Sequence, residues 1–281
     1  LSLGLTGAML SGMMLVGASA ASKDFTDADE IQNKEAVEVM STLGVLKGKD
    51  TGAFDPAGTV TRAEMAKMIT VMLNGGKDPV LGVKATPSYT DIGGHWAESY
   101  IEYCSTQGVI SGQGDGTFNP DGSVTGSQAA KMALAALGYD SSAYNFTGID
   151  WEVNTNRVAN ADADLYDGLA GINPSEAISR DNAAQMLYNT LDARTKKMTP
   201  TTSTNGSIEY TYTDGGTFML EKFGAVKVEG VVTGNEMAVL TSSATGSHLD
   251  ANRTRLQVTN YSTNPGNDEQ SYFGSSGTVT V

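Results

Sequence analysis

Apolar residues recur at helical spacing in several segments of the chain, and turn-rich stretches separate these segments. The first segment runs from Ile31 to Leu43 and stops at Gly44, a residue type that often ends helices. After a loop containing Pro56, a second apolar face begins beyond Thr61 and covers residues 65–73. The pattern therefore predicts a helix, a loop and a second helix.

This unit occurs three times. Its loop and second helix carry a phrase that keeps its residue types: Phe54-Asp-Pro56 to Met68, Phe118-Asn-Pro120 to Met132, and Ile172-Asn-Pro174 to Met186. Duplicated structural units explain such a fixed internal spacing. We predict three helix-loop-helix repeats, at residues 25–75, 89–140 and 146–193.

The phrase contains its own helix start. Thr61-x-x-Glu64 and Thr125-x-x-Gln128 are capping boxes, whereas Ser179 keeps the cap with a weaker partner three residues later. A cap of this kind contributes about 1 kcal/mol. The Thr, Ser, Glu and Gln positions therefore need no functional explanation.

The two ends of the chain have a different character. Residues 1–20 are uncharged, with an apolar run up to Val16 and a small-residue cleavage pattern at Ala18-Ser19-Ala20, which predicts a signal peptide lacking its own beginning. Residues 194–206, rich in Thr, Ser and Lys, are predicted to be a linker. Residues 207–281, including a run at 237–240, favour strands, and we expect this β-rich region to be incomplete.

Charge and residue types narrow the possible functions. A net charge of −14 argues against nucleic acid as a partner. No stretch after the signal peptide is long and apolar enough to span a membrane. The single cysteine, Cys104, is more consistent with a buried apolar position than with a reactive thiol.

Catalysis has few candidate residues. The only histidines, His95 and His248, have no identifiable catalytic partners, and no motif for a metal or cofactor is present. The acidic, Gly-rich loop at 115–121 does not fit a calcium loop, because Pro120 lies inside it and no Glu closes it. We therefore predict a protein without cofactors and without enzymatic activity.

Two arginines are not explained by the scaffold. Arg62 and Arg180 follow the caps directly, where a cation opposes the helix dipole, and they are two of only three arginines between residues 21 and 190. An arginine beside free N-terminal amides would bind a carboxylate or phosphate. A surface salt bridge to an Asp of a neighbouring unit explains them equally well.

The repeated phrase resembles the S-layer homology (SLH) domain. The resemblance covers about residues 25–191 and is fullest in the second unit: Tyr89-Thr-Asp91, His95-Trp96-Ala97, Gly108 to Gly112, and Asp115 to Pro120. It implies a mainly α pseudo-trimer of three helix-loop-helix repeats around a central three-helix bundle. It also implies binding of anionic, pyruvylated secondary cell-wall polysaccharide, with the motif arginine meeting the carboxylate, and this favours the ligand-binding explanation.

The resemblance also selects the candidate ligand-binding residues: Arg62, Arg180, Trp96, Lys47, Ser111 and Gly112. Trp96 would stack on a sugar face or fill the core. The second unit has Gly126 in place of the arginine, and the third has no recognisable Trp-Ala element. We therefore expect unequal grooves, of which one or two bind.

The leading hypothesis is a secreted protein held non-covalently at the Gram-positive cell wall or S-layer. Its expected partners are the wall polysaccharide and other S-layer subunits. One alternative is a wall or polysaccharide hydrolase whose catalytic domain lies beyond residue 281. A second alternative is a self-assembling lattice subunit.

Overall fold

The computed structural model describes residues 3–8, 25–169, 171–202, 208–234, 253–261 and 277–280. Six α-helices lie in these ranges: α1 Lys34–Thr42, α2 Arg62–Leu73, α3 Glu98–Thr106, α4 Gly126–Ala136, α5 Trp151–Ala161 and α6 Arg180–Asp192. The predicted cleavage site, the run at 237–240 and His248 lie outside the described residues. Helices α2, α4 and α6 are the second helices predicted from the repeated phrase.

The caps predicted for these three helices are present. Thr61 and Thr125 each accept a hydrogen bond from the amide three residues on, and the side chains of Glu64 and Gln128 each accept a hydrogen bond from the amide of the cap residue. Ser179 accepts from the amide of Asn182 without the return bond. The helix starts are therefore set locally, as the sequence indicates.

The three segments that precede α2, α4 and α6 are joined in a closed ring of backbone hydrogen bonds. The amide of Val60 donates to the carbonyl oxygen of Ile178 at 3.2 Å, Val124 donates to Val60 at 2.9 Å, and Ile178 donates to Val124 at 3.0 Å. All three side chains are buried. The three second helices therefore begin around one common point.

Each first helix packs against a second helix from a different repeat. Helix α3 lies against α2, α5 lies against α4, and α1 closes the ring against α6. The last pair is held by long-range polar contacts, in which Asn33 bonds the Asp181 carboxylate and the Tyr188 hydroxyl donates to Glu35. The packed helix pairs therefore cross the boundaries of the sequence repeats.

The prediction of a linker at residues 194–206 is wrong for most of its length. Residues Arg194–Thr202 form strand β2, which pairs antiparallel with β3, Ile208–Thr217. The threonines that suggest a flexible linker are β-branched residues, which fit a strand once a partner strand is available.

This hairpin and the π-helical turn Met219–Phe223 cover the C-terminal ends of the central helices. The amide of Lys196 donates to the Leu137 carbonyl just after α4, and the buried Phe218 donates to the carbonyl of Ala193 after α6. A Cβ on Gly76, which follows α2, would lie 3.1 Å from the Phe223 ring. Residues 194–223 are therefore packed onto the helical unit.

A second, four-stranded antiparallel sheet has the strand order β1-β4-β5-β6. Its strands are β1 Leu3–Ala8, β4 Ala225–Gly234, β5 Arg253–Tyr261 and β6 Gly277–Thr280. Strand β1 lies within residues 1–20, for which the sequence predicts a signal peptide. The signal peptide remains a prediction. Within the described ranges, no helix combines the length and apolar character required to cross a membrane.

Candidate ligand-binding grooves

Two surface grooves contain all six candidate residues. The Arg180 groove has a volume of about 200 Å³ and includes Lys47, Trp96 and Arg180. The Arg62 groove has a volume of about 600 Å³ and includes Arg62, Ser111 and Gly112. In each groove the arginine comes from a different repeat than the loop beside it, so each groove lies between repeats.

The two arginines are largely buried, with 8% of Arg62 and 6% of Arg180 exposed. Arg62 donates from Nε to the Phe118 carbonyl at 2.8 Å and from Nη2 to the Ser111 carbonyl at 3.0 Å. Its guanidinium carbon lies 4.4 Å from the centre of the Phe118 ring. One edge of the guanidinium is thus fixed by the neighbouring repeat.

Arg180 repeats this arrangement at its own interface. It donates from Nε to the Phe54 carbonyl at 2.8 Å and from Nη2 to the Lys47 carbonyl at 3.0 Å. Its Nη1 also lies 3.7 Å from Oε1 of Glu64. The surface salt bridge to an Asp considered above is therefore wrong, because the arginines are buried and mainly donate to carbonyl groups.

The idea of free helix amides beside the arginines is also wrong. The amides of Arg62 and Ala63 donate to the Gly122 and Pro120 carbonyls of the next repeat, at 2.9 Å each. The amide of Arg180 likewise donates to Gly58 at 2.8 Å. An anion in either groove would therefore meet the guanidinium side chain and not the helix N-terminus.

The outer edge of Arg62, at Nη1, differs from the inner edge that the neighbouring repeat fixes. Among the described residues, no hydrogen bond or ion pair engages its Nη1. Burial lowers the pKa of Arg62 while nearby Tyr89 and Asp91 raise it, and a guanidinium remains protonated at neutral pH. The Arg62 groove therefore presents a fixed, charged donor.

A lysine and a tryptophan complete each groove. Lys131 Nζ lies 5.3 Å from the centre of the Trp151 ring, and Lys67 Nζ lies 5.9 Å from that of Trp96. Lys131 also donates to the Phe146 carbonyl at 2.6 Å, and burial lowers its pKa. The core position considered for Trp96 is wrong, because 55% of this residue is exposed.

Trp151 is the groove residue that the sequence comparison misses. Trp151 lines the Arg62 groove as Trp96 lines the Arg180 groove. It lies 55 positions after Trp96, whereas the loops and caps of these two repeats are 54 positions apart. A search that allows one inserted residue would find it.

The second repeat has no arginine to contribute because of local packing. A Cβ on Gly126 would lie 3.0 Å from Cα of Pro174 and 3.3 Å from Cδ1 of Ile172. Ser127, which follows, is buried and bonds the Pro174 carbonyl and Glu152. This interface is closed by direct packing where the other two hold an arginine.

Aspartates hold the two arginine-binding loops in equivalent ways. The Asp27 carboxylate accepts from the amides of Phe54 and Asp55, and Asp91 accepts from those of Phe118 and Asn119, all at 2.7–2.8 Å. Burial raises the pKa of Asp27, but the hydrogen bonds from backbone amides and the charge of Arg180 together lower it by more. The pKa of Asp27 therefore lies below its ordinary range. These loops are therefore rigid supports for the carbonyl groups that bind the arginines.

The other residues considered for chemistry have structural partners. No group of three His, Cys, Asp or Glu side chains in the part of the chain that is described is arranged to hold a metal ion. His95 Nδ1 accepts from the Ala97 amide, and Asp115 accepts from Thr117 within its own turn. Cys104 is fully buried, with its sulfur 3.1 Å from the Thr70 hydroxyl.

Comparison with known families agrees with the two best-matched repeats. The sequence model of the S-layer homology domain matches residues 24–66 and 88–130. These two segments are offset by 64 positions, and both include an Asp that holds a loop, the loop itself and a capping box. The chain therefore contains S-layer homology domains.

Several relatives are proteins of the bacterial surface. The chain is 33% identical over 137 residues to S-layer protein sap of Bacillus anthracis, covering 48% of this chain and 16% of that protein. It is 32% identical over 127 residues to cell surface glycoprotein 1 of Acetivibrio thermocellus, covering 43% of this chain and 6% of that protein. It is 30% identical over 132 residues to an uncharacterized cell wall amidase of Bacillus anthracis, covering 46% of this chain and 24% of that protein.

The chain thus spans less than a quarter of each of these relatives. The domain matches and the relatives together identify a secreted protein of the cell wall or S-layer.

Proposed function

We propose that this protein is a non-enzymatic surface protein that is anchored to the Gram-positive cell wall by binding anionic, pyruvylated secondary cell-wall polysaccharide. Residues 25–75, 89–140 and 146–193 are the three repeats of an SLH pseudo-trimer built around α2, α4 and α6. The β-rich region at 207–281 belongs to an outward-facing part of the protein.

The Arg62 groove is the observation that carries this proposal. It combines the uncommitted Nη1 of a buried arginine with Lys131 and the ring of Trp151. A fixed guanidinium edge binds a carboxylate, and an aromatic face beside it packs against the C–H face of a sugar ring. An acidic sugar satisfies both elements at once.

The direction of the helices agrees with an anchoring role. Arg62 and Arg180 are the first residues of α2 and α6 and Lys131 is the middle residue of α4, whereas the β2–β3 hairpin covers the C-terminal ends of the central helices. A polysaccharide bound in the grooves would therefore leave the C-terminal strands free to extend from the opposite end of the unit.

Titration with purified wall polysaccharide tests the proposal. Trp151→Ala should weaken binding roughly tenfold, the scale of a lost aromatic contact. Val153→Ala, an exposed position on the same helix, serves as the matched control. Failure of the wild-type protein to bind, or equal binding by both variants, would remove the support for this site.

The relative named a cell wall amidase keeps a second function under consideration. In this alternative, the helical unit anchors a hydrolase whose catalytic domain lies beyond residue 281. Incubation of the longest available chain with wall sacculi, followed by measurement of newly released amines and reducing ends, separates the two. Release above background would favour the enzyme.

The relatives named S-layer proteins support a third possibility, in which the protein also assembles with other subunits into a lattice. Electron microscopy of the purified chain at increasing concentration tests this point. Ordered two-dimensional arrays would support assembly, and a strictly monomeric protein would exclude it under those conditions.

A further inference from the structure

A series of aromatic rings leads away from the Arg62 groove. Phe146 lines the groove, and the ring of Tyr144 stacks on it, with 5.8 Å between the ring centres. Tyr212 of strand β3 meets Tyr144 edge to face at 5.9 Å. Tyr210 lies two residues before Tyr212, and thus on the same face of the strand. The rings of Tyr144, Tyr212 and Tyr210, here called the tyrosine row, therefore connect the groove with the β2–β3 hairpin.

The hairpin is apolar on the face that carries the tyrosine row. Met198 pairs with Tyr212 and Pro200 pairs with Tyr210, so the side chains of both pairs share this face. Thr211, between the two tyrosines, belongs to the opposite face because successive side chains of a strand alternate. With 55% of Tyr210 and 51% of Met198 exposed, the apolar face is open to solvent.

The row is fixed relative to the groove. The amide of Lys196 donates to the Leu137 carbonyl at 2.7 Å, and its Nζ lies 5.2 Å from the centre of the Tyr139 ring. Tyr139 is buried and meets Tyr144 edge to face at 4.8 Å. Lys131 holds the other end of this segment through the Phe146 carbonyl at 2.6 Å. The hairpin and the groove are thus joined through residues 139–146.

On the basis of the proposed function, we infer that the tyrosine row binds further sugars of the same wall polysaccharide, beyond the sugar held in the Arg62 groove. An open tyrosine ring packs against the C–H face of a sugar, and its hydroxyl group exchanges hydrogen bonds with sugar hydroxyls. Lys196, the cation at the base of this face, forms an ion pair with Asp214. The row therefore suits neutral sugars of the polymer, whereas the arginine suits an acidic one.

Two features favour a polysaccharide over a second copy of the chain as the occupant of this face. The first is continuity, because one polymer can contact the groove and the row together. Asn145 and Thr147 are exposed on either side of Phe146 and supply hydrogen-bonding groups where the two meet. The second is charge, because two copies that each carry −14 repel one another.

The variant Tyr210→Ala tests the inference, with Thr211→Ala as the matched control. Thr211 is exposed on the same strand and faces away from the row. The wild-type chain and both variants are titrated with two size fractions of purified wall polysaccharide: long chains, and fragments of two or three sugars that fill only the groove. Sedimentation velocity without polysaccharide reports whether the chain associates with itself.

Tyr210→Ala should weaken binding of the long chains roughly fivefold, the scale of one lost aromatic contact, and leave binding of the fragments unchanged. Thr211→Ala should alter neither. Unchanged binding of long chains by Tyr210→Ala, or an equal loss with both fractions, would overturn the inference while wild-type binding of the fragments upholds the anchoring function. A wild-type dimer that Tyr210→Ala dissociates would assign the face to contact between copies and also overturn it. Failure of the wild-type chain to bind either fraction would overturn the proposed function itself.

Discussion

Replacing Arg62 by alanine should destabilise the fold, independently of any ligand. The side chain joins two repeats through hydrogen bonds to the carbonyls of Phe118 and Ser111 and through contact with the Phe118 ring. Hydrogen bonds from a charged donor contribute about 1.5–3 kcal/mol each, and the ring contact contributes about 1 kcal/mol.

The expected loss is smaller than the sum of these values. Ser111 is exposed, so water can replace the arginine at its carbonyl, whereas Phe118 is fully buried and its carbonyl loses a partner inside the interface. We therefore expect Arg62→Ala to lower the free energy of unfolding by about 3 kcal/mol. Arg62→Lys keeps the charge but not the planar fork, and should lose part of this stability.

Equilibrium unfolding in urea measures the effect, with intrinsic fluorescence and circular dichroism as probes. Arg157→Ala is the matched control, because Arg157 is exposed on α5. A loss below about 0.5 kcal/mol for Arg62→Ala, equal to that of the control, would refute the structural role. If the loss is confirmed, weaker wall binding by Arg62→Ala cannot be assigned to the ligand contact without a stability measurement.

Three other predictions concern regions outside the grooves. Phe218→Ala should cost about 3 kcal/mol in urea unfolding, because this fully buried ring belongs to the layer that covers the central helices. Burial raises the pKa of Glu102, but hydrogen bonds from Lys84 and Ser88 lower it by more, so this pKa lies below its ordinary range. The ionised Glu102 side chain therefore stabilises the fold above the unfolded pKa of about 4.3, and this contribution is lost as the pH falls through the lower pKa of the folded state. Glu102→Gln should consequently flatten the acid side of a plot of unfolding free energy against pH. Burial raises the pKa of Cys104 to about 11, so maleimide should label this thiol at pH 8 only after unfolding.

Each of these predictions has a contrary outcome. Unchanged unfolding of Phe218→Ala would mean that the C-terminal hairpin is not packed on the helices in solution. An identical acid profile for Glu102→Gln would assign the acid sensitivity to other carboxylates. Rapid labelling of Cys104 in the native protein would show that α3 separates readily from α2.

The starts of α2, α4 and α6 could be predicted because their determinants are local. A threonine or serine followed three residues later by Glu, Gln or Asn specifies a helix start within a single turn. The packing of α1 against α6 could not be predicted in this way. It depends on contacts such as Asn33 to Asp181, which are 148 positions apart and carry no periodic signal.

The candidate site was partly predictable for similar reasons. Arg62 and Arg180 stood out because a cation in the first helical turn has no local explanation. Their inward-facing partners are backbone carbonyls of another repeat, and a backbone carbonyl has no residue-type signature. Trp151 was hidden by a one-residue insertion, and strand β2 by a composition that is also typical of linkers.

Sedimentation of the purified chain with wall sacculi tests the anchoring function most directly. Two preparations are compared: sacculi that retain their secondary polysaccharide and sacculi from which hydrofluoric acid has removed it. Wall anchoring through the grooves predicts that the protein sediments with the first preparation and stays in solution with the second. Equal sedimentation with both, or none with either, would contradict binding to the wall polysaccharide.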